Sequence, residues 1–324
     1  MQKKSAETQV HNTDIVETQK TVPSIRQYMS NFCKDIKSNI CTPCISTGFD
    51  VLDKNLGGGL YEGLCVVGAI SSLGKTTLVL QIADQIAKSG IDVLYFSLEM
   101  SRYEMMAKSV SRITIQNVIE NNSDLMLAKS SLDISCGSRY ESYTDEEKQA
   151  IAFAINAYNE YNENLYIYEG VGDMSVKDVR DIVKTHIKDT GRKPIVIVDY
   201  LQILAPCSIG LTDKQVVDKS VLELKRLSRD ISMPVIGISS FSRSNYKEPV
   251  SMGSFKESGA IEYSADVLIG LQFAGVGKSD FNVNKAKQAN PRQIEVVILK
   301  NRKSETGQTL NMEYYPKYNY FQEV

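Results

Sequence analysis

A Gly-Lys-Thr triplet stands at the start of a helix-like segment, directly after an apolar run. Residues 66–83 read VVGAISSLGKTTLVLQIA, with Gly74, Lys75 and Thr76 at the junction. A helix N-terminus that follows a tight turn points several backbone N–H groups at one place, and such a place binds phosphate. Lys75 would neutralise the β and γ phosphates of a nucleotide, and the Thr76 hydroxyl would hold Mg²⁺. The alternative is a solvated Lys-Thr pair at a helix start.

The predicted phosphate loop departs from the usual pattern at its first position. The pattern places a glycine there, with four residues between it and Gly74, whereas this chain has Ala69. A small residue still permits a tight turn. The residues predicted to bind the nucleotide are Ala69, Ile70, Ser71, Ser72, Leu73, Gly74, Lys75, Thr76 and Thr77.

Two acidic residues at predicted strand ends could complete a hydrolytic site. Asp199 ends the apolar run IVIVD, and a carboxylate at the end of a buried strand supports the Mg²⁺ of a bound nucleotide. Glu99 ends DVLYFSLE, where a carboxylate could orient and activate the attacking water. The alternatives are an aspartate that merely ends its strand and a surface or capping glutamate.

Alternating strand-like and helix-like runs from about residue 46 onward predict a wound α/β sheet that positions these groups. A helix is predicted at 76–88, and the capping boxes at Ser101 and Thr144 each predict another. Two irregular stretches, 205–217 and 242–262, follow strand ends, where such sheets bind ligands. The predicted strands are 64–70, 92–99, 165–168, 194–199, 234–241, 266–273, 294–300 and 310–315.

The chain has 324 residues, of which 42% are hydrophobic and 23% charged, so it can bury a large core. No apolar run is long enough for a membrane span, and no secretory signal follows the N-terminus, so we expect a cytoplasmic protein without membrane contact. The net charge is −2, which neither favours nor excludes DNA. Cys41 and Cys44 have metal-ligand spacing, with Cys33 as a third candidate, but free thiols are the favoured interpretation.

The first 45 residues differ in composition from the rest. Residues 1–22 are polar and lack aromatic side chains, which predicts a disordered tail. Residues 23–45 contain one amphipathic helix, whose apolar face predicts an interface with a neighbouring subunit or with its own domain. Its apolar residues are Ile25, Tyr28, Met29, Phe32, Ile36 and Ile40.

Six motifs in order resemble the ATPase domain of DnaB-type replicative helicases, a branch of the RecA-like fold. The resemblance covers residues 46–324 and implies a RecA-like phosphate-loop NTPase with a twisted, mostly parallel sheet flanked by helices. In this family alanine commonly opens the phosphate loop, so Ala69 is a mark of the branch. The motifs are STGFDVLDKNLGGGL (46–60), AISSLGKTT (69–77), FSLEMS (96–101), IVDYLQIL (197–204), KESGAIEYSADV (256–267) and LKNRKSETG (299–307).

The resemblance implies an ATP-dependent DNA helicase that uses Mg²⁺ and works as a homo-hexamer on single-stranded DNA. It implies that Lys300 and Arg302 reach the nucleotide of the neighbouring subunit, where positive charge stabilises the transition state. It also implies that Lys256, Glu257 and Gly259 hold the DNA backbone. Primase or other replication proteins would be further partners.

Two departures from the family keep alternatives open. The family usually has Ser-Gln where this chain has Ser239 and Ser240, and serine is too short to report loss of the γ-phosphate in the same way. The N-terminal helical domain that meets primase precedes the family's ATPase domain but is not recognisable here. The alternatives are a RadA-like or KaiC-like ATPase and a regulator or loader that binds ATP without translocating.

Overall fold

The computed structural model describes residues 24–38, 44–170, 174–207, 210–241, 248–255 and 259–324. The chain divides into two units, one ending at Pro43 and the other running from Cys44 to Val324. The predicted tail at 1–22 lies outside the described residues. None of the helices in the described part of the chain is long and apolar enough to span a membrane.

The larger unit is built on a nine-stranded sheet in the order β3-β2-β4-β5-β1-β6-β7-β8-β9. The first six positions in this order are parallel, and β7, β8 and β9 continue the sheet in antiparallel fashion. The strands are β1 Gly63–Ala69, β2 Val93–Ser97, β3 Leu165–Glu169, β4 Ile195–Asp199, β5 Pro234–Ser240, β6 Val267–Phe273, β7 Arg292–Asn301, β8 Thr309–Tyr315 and β9 Tyr320–Glu323.

Helices cover the sheet in two groups. One group is α3, α4 and α7, with α3 packed on β1, β2 and β5; the other is α8, α9 and α10, with α9 packed on β1 and β5. The helices are α1 Met29–Ser38, α2 Asp50–Leu56, α3 Lys75–Lys88, α4 Arg102–Glu120, α5 Ser131–Ser135, α6 Gly137–Glu141, α7 Asp145–Asn159, α8 Val176–Thr190, α9 Asp213–Ile231, α10 Gly259–Ser264 and α11 Val283–Gln288.

The central strands are apolar without alternation because the helices bury both of their faces. Every residue of β1, β2 and β4 is buried, as expected for parallel strands covered on both sides. One continuous hydrophobic core runs from α2 to β9. The predicted α/β fold with a mostly parallel sheet is confirmed.

The local signals of helix starts agree with the structure, and the two predicted irregular stretches are only partly irregular. Ser101 and Thr144 form complete capping boxes at the starts of α4 and α7. The stretch 205–217 was expected to be irregular throughout, but α9 begins at Asp213, because Thr212 and Gln215 form a further capping box. The second stretch contains a 3₁₀ helix at Met252–Phe255 and the start of α10 at Gly259.

The described part of the smaller unit, residues 24–38, contains a 3₁₀ turn, Ile25–Gln27, followed by α1. The amphipathic helix predicted here therefore begins with a tighter turn, as helix N-termini often do. None of the large apolar side chains described between residues 24 and 38 is buried. The exposed ones are Ile25, Tyr28, Met29, Phe32 and Ile36.

Candidate nucleotide-binding site

The carboxyl ends of four neighbouring parallel strands form the edge on which the predicted site lies. Ala69 ends β1 and pairs with Ser240 at the end of β5. Asp199 ends β4 and pairs with Ser97 at the end of β2. Parallel strands bring these ends together on one side of the sheet, where ligands of open α/β sheets bind. The fold therefore brings together residues that are far apart in sequence.

The phosphate loop leads from β1 into α3, and Gly74 is required at its end for two reasons. Its φ of 95° lies in the left-handed region that favours glycine. A Cβ there would lie 2.8 Å from Cζ of Phe321 and 2.9 Å from Cε1 of Tyr314. Burial raises the pKa of the Tyr314 phenol, and a hydrogen bond from Thr77 opposes that shift. The loop thus rests on the last two strands.

Arg292, the first residue of β7, supports the phosphate loop from the side. Its guanidinium donates to the carbonyl oxygen of Ser72 at 3.0 Å, and it lies 5.9 Å from the ring centroid of Tyr314. Ser72 itself has a φ of 65°, which is unusual for a residue with a side chain. A fixed carbonyl at this point helps to hold the strained turn.

Lys75 and Glu99 both lie beside the end of β4. Lys75 is half-buried, with its ammonium 5.8 Å from the ring centroid of Tyr200. Glu99 is exposed, and its charge acts on both Asp199 and Tyr200, raising the pKa of each in addition to the larger effect of burial. The backbone N–H of Leu98 donates to the carbonyl oxygen of Asp199 at 2.8 Å, which joins the two strand ends.

Asp199 is a buried carboxylate whose two oxygens differ in their hydrogen bonding. Burial raises its pKa, and the hydroxyls of Tyr95 and Thr76 and the charge of Lys75 lower it. Tyr95 donates to Oδ2 at 3.0 Å, while Oδ1 is buried without a hydrogen-bond partner among the described residues. A free carboxylate oxygen beside a threonine hydroxyl is a donor set that fits Mg²⁺, which takes few protein oxygens and completes its shell with phosphates and water.

Gln202 connects the ends of β4 and β5. Its side chain donates to Oγ of Ser239 at 2.9 Å and accepts from the backbone N–H of Ser240 at 3.4 Å. Ser239 is buried and Ser240 is half-buried. A glutamine amide therefore does lie at this strand end, although it comes from the 3₁₀ turn that follows β4 and not from residue 240.

Lys300 and Arg302 lie at the opposite edge of the sheet from their own phosphate loop. Lys300 pairs with Leu268, which aligns with Val66, three residues before Ala69, and Arg302 follows the end of β7, two residues further from the phosphate loop. At about 3.3 Å per residue, this is ~10 Å along the strands for Lys300 and more for Arg302. Neither side chain is therefore brought to the nucleotide site of its own chain.

Both basic side chains bind the C-terminal end of α10. Lys300 Nζ donates to the carbonyl oxygen of Glu262 at 2.7 Å, and Arg302 donates to that of Tyr263 at 3.1 Å. Arg302 also lies 3.5 Å from Oδ1 of Asp266. Burial lowers the pKa of Lys300, and the charge of Arg302 lowers it further.

The predicted DNA contacts are described only in part. Lys256 and Glu257 lie outside the described residues. Gly259 is the first residue of α10, and a Cβ there would meet only a side-chain carbon of Tyr263, at 3.8 Å, among the described atoms. Cys41 also lies outside the described residues, and the thiol of Cys44 donates to the carbonyl oxygen of Gly58 at 3.1 Å.

The sequence by itself assigns no role to three residues of this site. Tyr95 lies inside an apolar strand, Gln202 inside a 3₁₀ turn, and Arg292 at the start of an outer strand. Each reaches the site through a side-chain hydrogen bond to a segment that is distant in sequence. Periodicity and motif spacing describe neighbours along the chain, so only the register of the sheet reveals these contacts.

A parallel sheet with a phosphate loop after its central strand and a carboxylate ending a nearby strand defines a RecA-like nucleotide-binding domain. The family model for the DnaB-like helicase C-terminal domain matches residues 44–323. The chain belongs to this family, which confirms the family predicted from the six motifs.

Curated relatives include replicative DNA helicases. The chain is 29% identical over 286 residues to the replicative DNA helicase DnaB of Geobacillus stearothermophilus and 27% identical over 286 residues to the replicative DNA helicase DnaC of Bacillus subtilis. Each match covers 86% of this chain and 56% of the relative. The chain thus spans about half the length of the curated relatives that it matches.

A solved structure shares the fold. A DnaB-like replicative helicase studied with primase has a TM-score of 0.74 at 21% identity, covering 94% of this chain and 68% of that one. A second solved structure, of an ATPase domain by itself, has a TM-score of 0.75 at 21% identity, covering 94% of this chain and all of that one. At 21% identity, the similarity to these two structures shows a shared fold.

Proposed function

We propose that the protein is an ATP-dependent DNA helicase motor of replication, whose subunits form a homo-hexameric ring and move along single-stranded DNA. The observation that carries the proposal is the convergence of the phosphate loop, Glu99 and Asp199 at one edge of a sheet that belongs to the DnaB-like family. A replication motor acts on the DNA of the cell, so we also propose that the protein is cytoplasmic.

Each group at the strand ends has a distinct part in ATP hydrolysis. Lys75 places its charge on the phosphates, and the backbone of residues 69–77 surrounds them. Glu99 accepts a proton from the attacking water. Thr76 and Asp199 would hold Mg²⁺, which when bound neutralises charge on the phosphate oxygens.

The basic pair acts on the next subunit in the ring. Since Lys300 and Arg302 lie ~10 Å or more from the edge of their own site at about 3.3 Å per residue, we infer that they complete the site of a neighbour, where they stabilise charge on the transferred phosphate. DNA would be held by Lys256, Glu257 and Gly259 through its backbone, independently of sequence. The apolar face of α1 would dock on a neighbour and help to close the ring. Primase or other replication proteins are further partners in this proposal.

A second candidate is a regulator or loader that binds ATP without translocating. The observation that favours it is Ser240, which is too short to respond to the γ-phosphate as a glutamine would, and whose backbone is held by Gln202. This candidate predicts hydrolysis and DNA binding without strand separation.

Unwinding of a forked duplex, which carries one 5′ and one 3′ single-stranded tail, tests the proposal. We expect strand separation that requires ATP and is lost in Lys75→Ala, whose ammonium has no substitute on the phosphates. Glu99→Gln should bind ATP normally and fail to hydrolyse it, while Glu141→Gln, an exposed glutamate of α6, serves as a matched control with full activity. Hydrolysis of ATP without separation of the forked duplex would exclude a helicase and favour the second candidate.

A further inference from the structure

The hydroxyl of Tyr95 lies against the carboxylate that the proposed site needs. Tyr95 pairs with Ile197 across β2 and β4, two residues before Asp199, so the tyrosine and the aspartate point to the same face of the sheet. Diagonal neighbours of this kind are within reach of an aromatic side chain. The Tyr95 hydroxyl spans this diagonal and donates to Oδ2 of Asp199 at 3.0 Å.

Both partners of this hydrogen bond are buried. Tyr95 is 0% exposed and Asp199 is 3% exposed. A buried phenol needs an acceptor and a buried carboxylate needs donors, so each group is costly to bury without the other. The bond therefore forms a fixed part of the interior and is not a transient surface contact.

The hydrogen bond from Tyr95 also determines which oxygen of the Asp199 carboxylate is left without a partner. Because Oδ2 is held, the carboxylate cannot turn about its Cβ–Cγ bond without breaking the contact with Tyr95. Oδ1 is left buried, with no hydrogen-bond partner in the described part of the chain. Groups that orient a metal ligand from behind usually affect metal affinity strongly.

We propose that Tyr95 is a positioning residue, whose hydroxyl holds Oδ2 of Asp199 and thereby keeps Oδ1 available to the Mg²⁺ of the bound nucleotide. This inference rests on the proposed function, since it assigns a role within the same site. It gives Tyr95 no contact with the nucleotide, and its effect is confined to binding that depends on the metal.

Tyr95→Phe in the full chain tests this role, because it removes the hydroxyl and keeps the ring. The probe is a fluorescent derivative of ADP, whose affinity is measured in EDTA and across a Mg²⁺ titration. We expect the affinity in EDTA to be unchanged, and the Mg²⁺ concentration that gives half of the tightening to rise about tenfold, as for other groups behind a metal ligand. A Mg²⁺ curve that coincides with that of the wild type overturns the proposal.

Two controls separate this role from a general loss of packing. Tyr158→Phe removes the hydroxyl of another buried tyrosine, on α7, and should leave the Mg²⁺ curve unchanged. In an Asp199→Asn background, Tyr95→Phe should change the affinity in Mg²⁺ by less than about twofold, since the two residues act as one unit. If Tyr95→Phe weakens nucleotide affinity in Mg²⁺ equally with Asp199 present and in the Asp199→Asn background, the proposal is overturned.

The same measurements distinguish a failure of this inference from a failure of the proposed function. If Mg²⁺ does not tighten nucleotide binding by the wild type, the proposed site is wrong and the role of Tyr95 falls with it. If Mg²⁺ tightens binding equally in the wild type, Tyr158→Phe and Tyr95→Phe, the site stands and only the role of Tyr95 is wrong.

Discussion

Adding one methyl group at Gly74 tests how tightly the phosphate loop packs on the last two strands. The added Cβ would lie under 3 Å from ring carbons of both Phe321 and Tyr314. These two rings are stacked with centroids 4.3 Å apart, and both are buried, so neither is free to move aside. The variant Gly74→Ala must therefore strain the loop, shift the rings, or both.

The expected free-energy cost of Gly74→Ala has two contributions. A residue with a side chain at φ 95° costs about 1–2 kcal/mol, because left-handed backbone is unfavourable for L-residues. Overpacking against the two rings costs about 1–3 kcal/mol. If the loop moves and the domain stays folded, the cost falls on nucleotide binding, where about 2 kcal/mol weakens affinity roughly 30-fold.

Urea unfolding and nucleotide affinity together measure both contributions. The matched control is Gly90→Ala, because Gly90 has a similar φ of 86° but no described atom within 4 Å of a Cβ at that position. Gly90→Ala carries only the cost of placing a side chain on left-handed backbone. We therefore expect a loss of about 1–2 kcal/mol of stability and unchanged nucleotide affinity. Gly74→Ala should exceed it in stability loss, in affinity loss, or in both.

A second substitution locates the steric contribution. Phe321→Leu removes the ring edge that the new Cβ would meet, so the double variant with Gly74→Ala should bind nucleotide more tightly than Gly74→Ala alone. If Gly74→Ala matches Gly90→Ala in both measurements, or if Phe321→Leu gives no recovery, the packing argument is refuted.

Mixed rings of Arg302→Ala and Lys75→Ala subunits should hydrolyse ATP although each variant alone is inactive, because an intact Lys75 then meets an intact Arg302 across an interface. Activity that does not exceed the sum of the separate variants would place Arg302 in its own site. DNA-stimulated hydrolysis should fall steeply as salt rises, as phosphate contacts require, and a flat response would contradict them. Asp84→Asn should lower the free energy of unfolding by about 3–5 kcal/mol, measured by urea titration, because it leaves the buried Arg112 guanidinium without its paired charge. Cys65 should resist alkylation in the folded protein at pH 8, since burial raises its pKa to about 12, and labelling as fast as exposed Cys44 would contradict this.

The sequence alone determined the features that arise between neighbours along the chain. Apolar runs such as 195–199 predicted the buried strands, and the capping boxes at Ser101 and Thr144 predicted helix starts, because these signals act over a few residues. The spacing of Gly74, Lys75 and Thr76 predicted the phosphate loop for the same reason. The ordered motifs were enough to identify the family.

Tertiary structure decided which distant groups meet. Strand pairing places Tyr95 against Asp199, and the chain end folds back so that Phe321 lies under Gly74. The register of β6 and β7 separates Arg302 from its own phosphate loop. These contacts depend on sheet order and register, which arise from packing of the whole core and are not encoded in any local pattern.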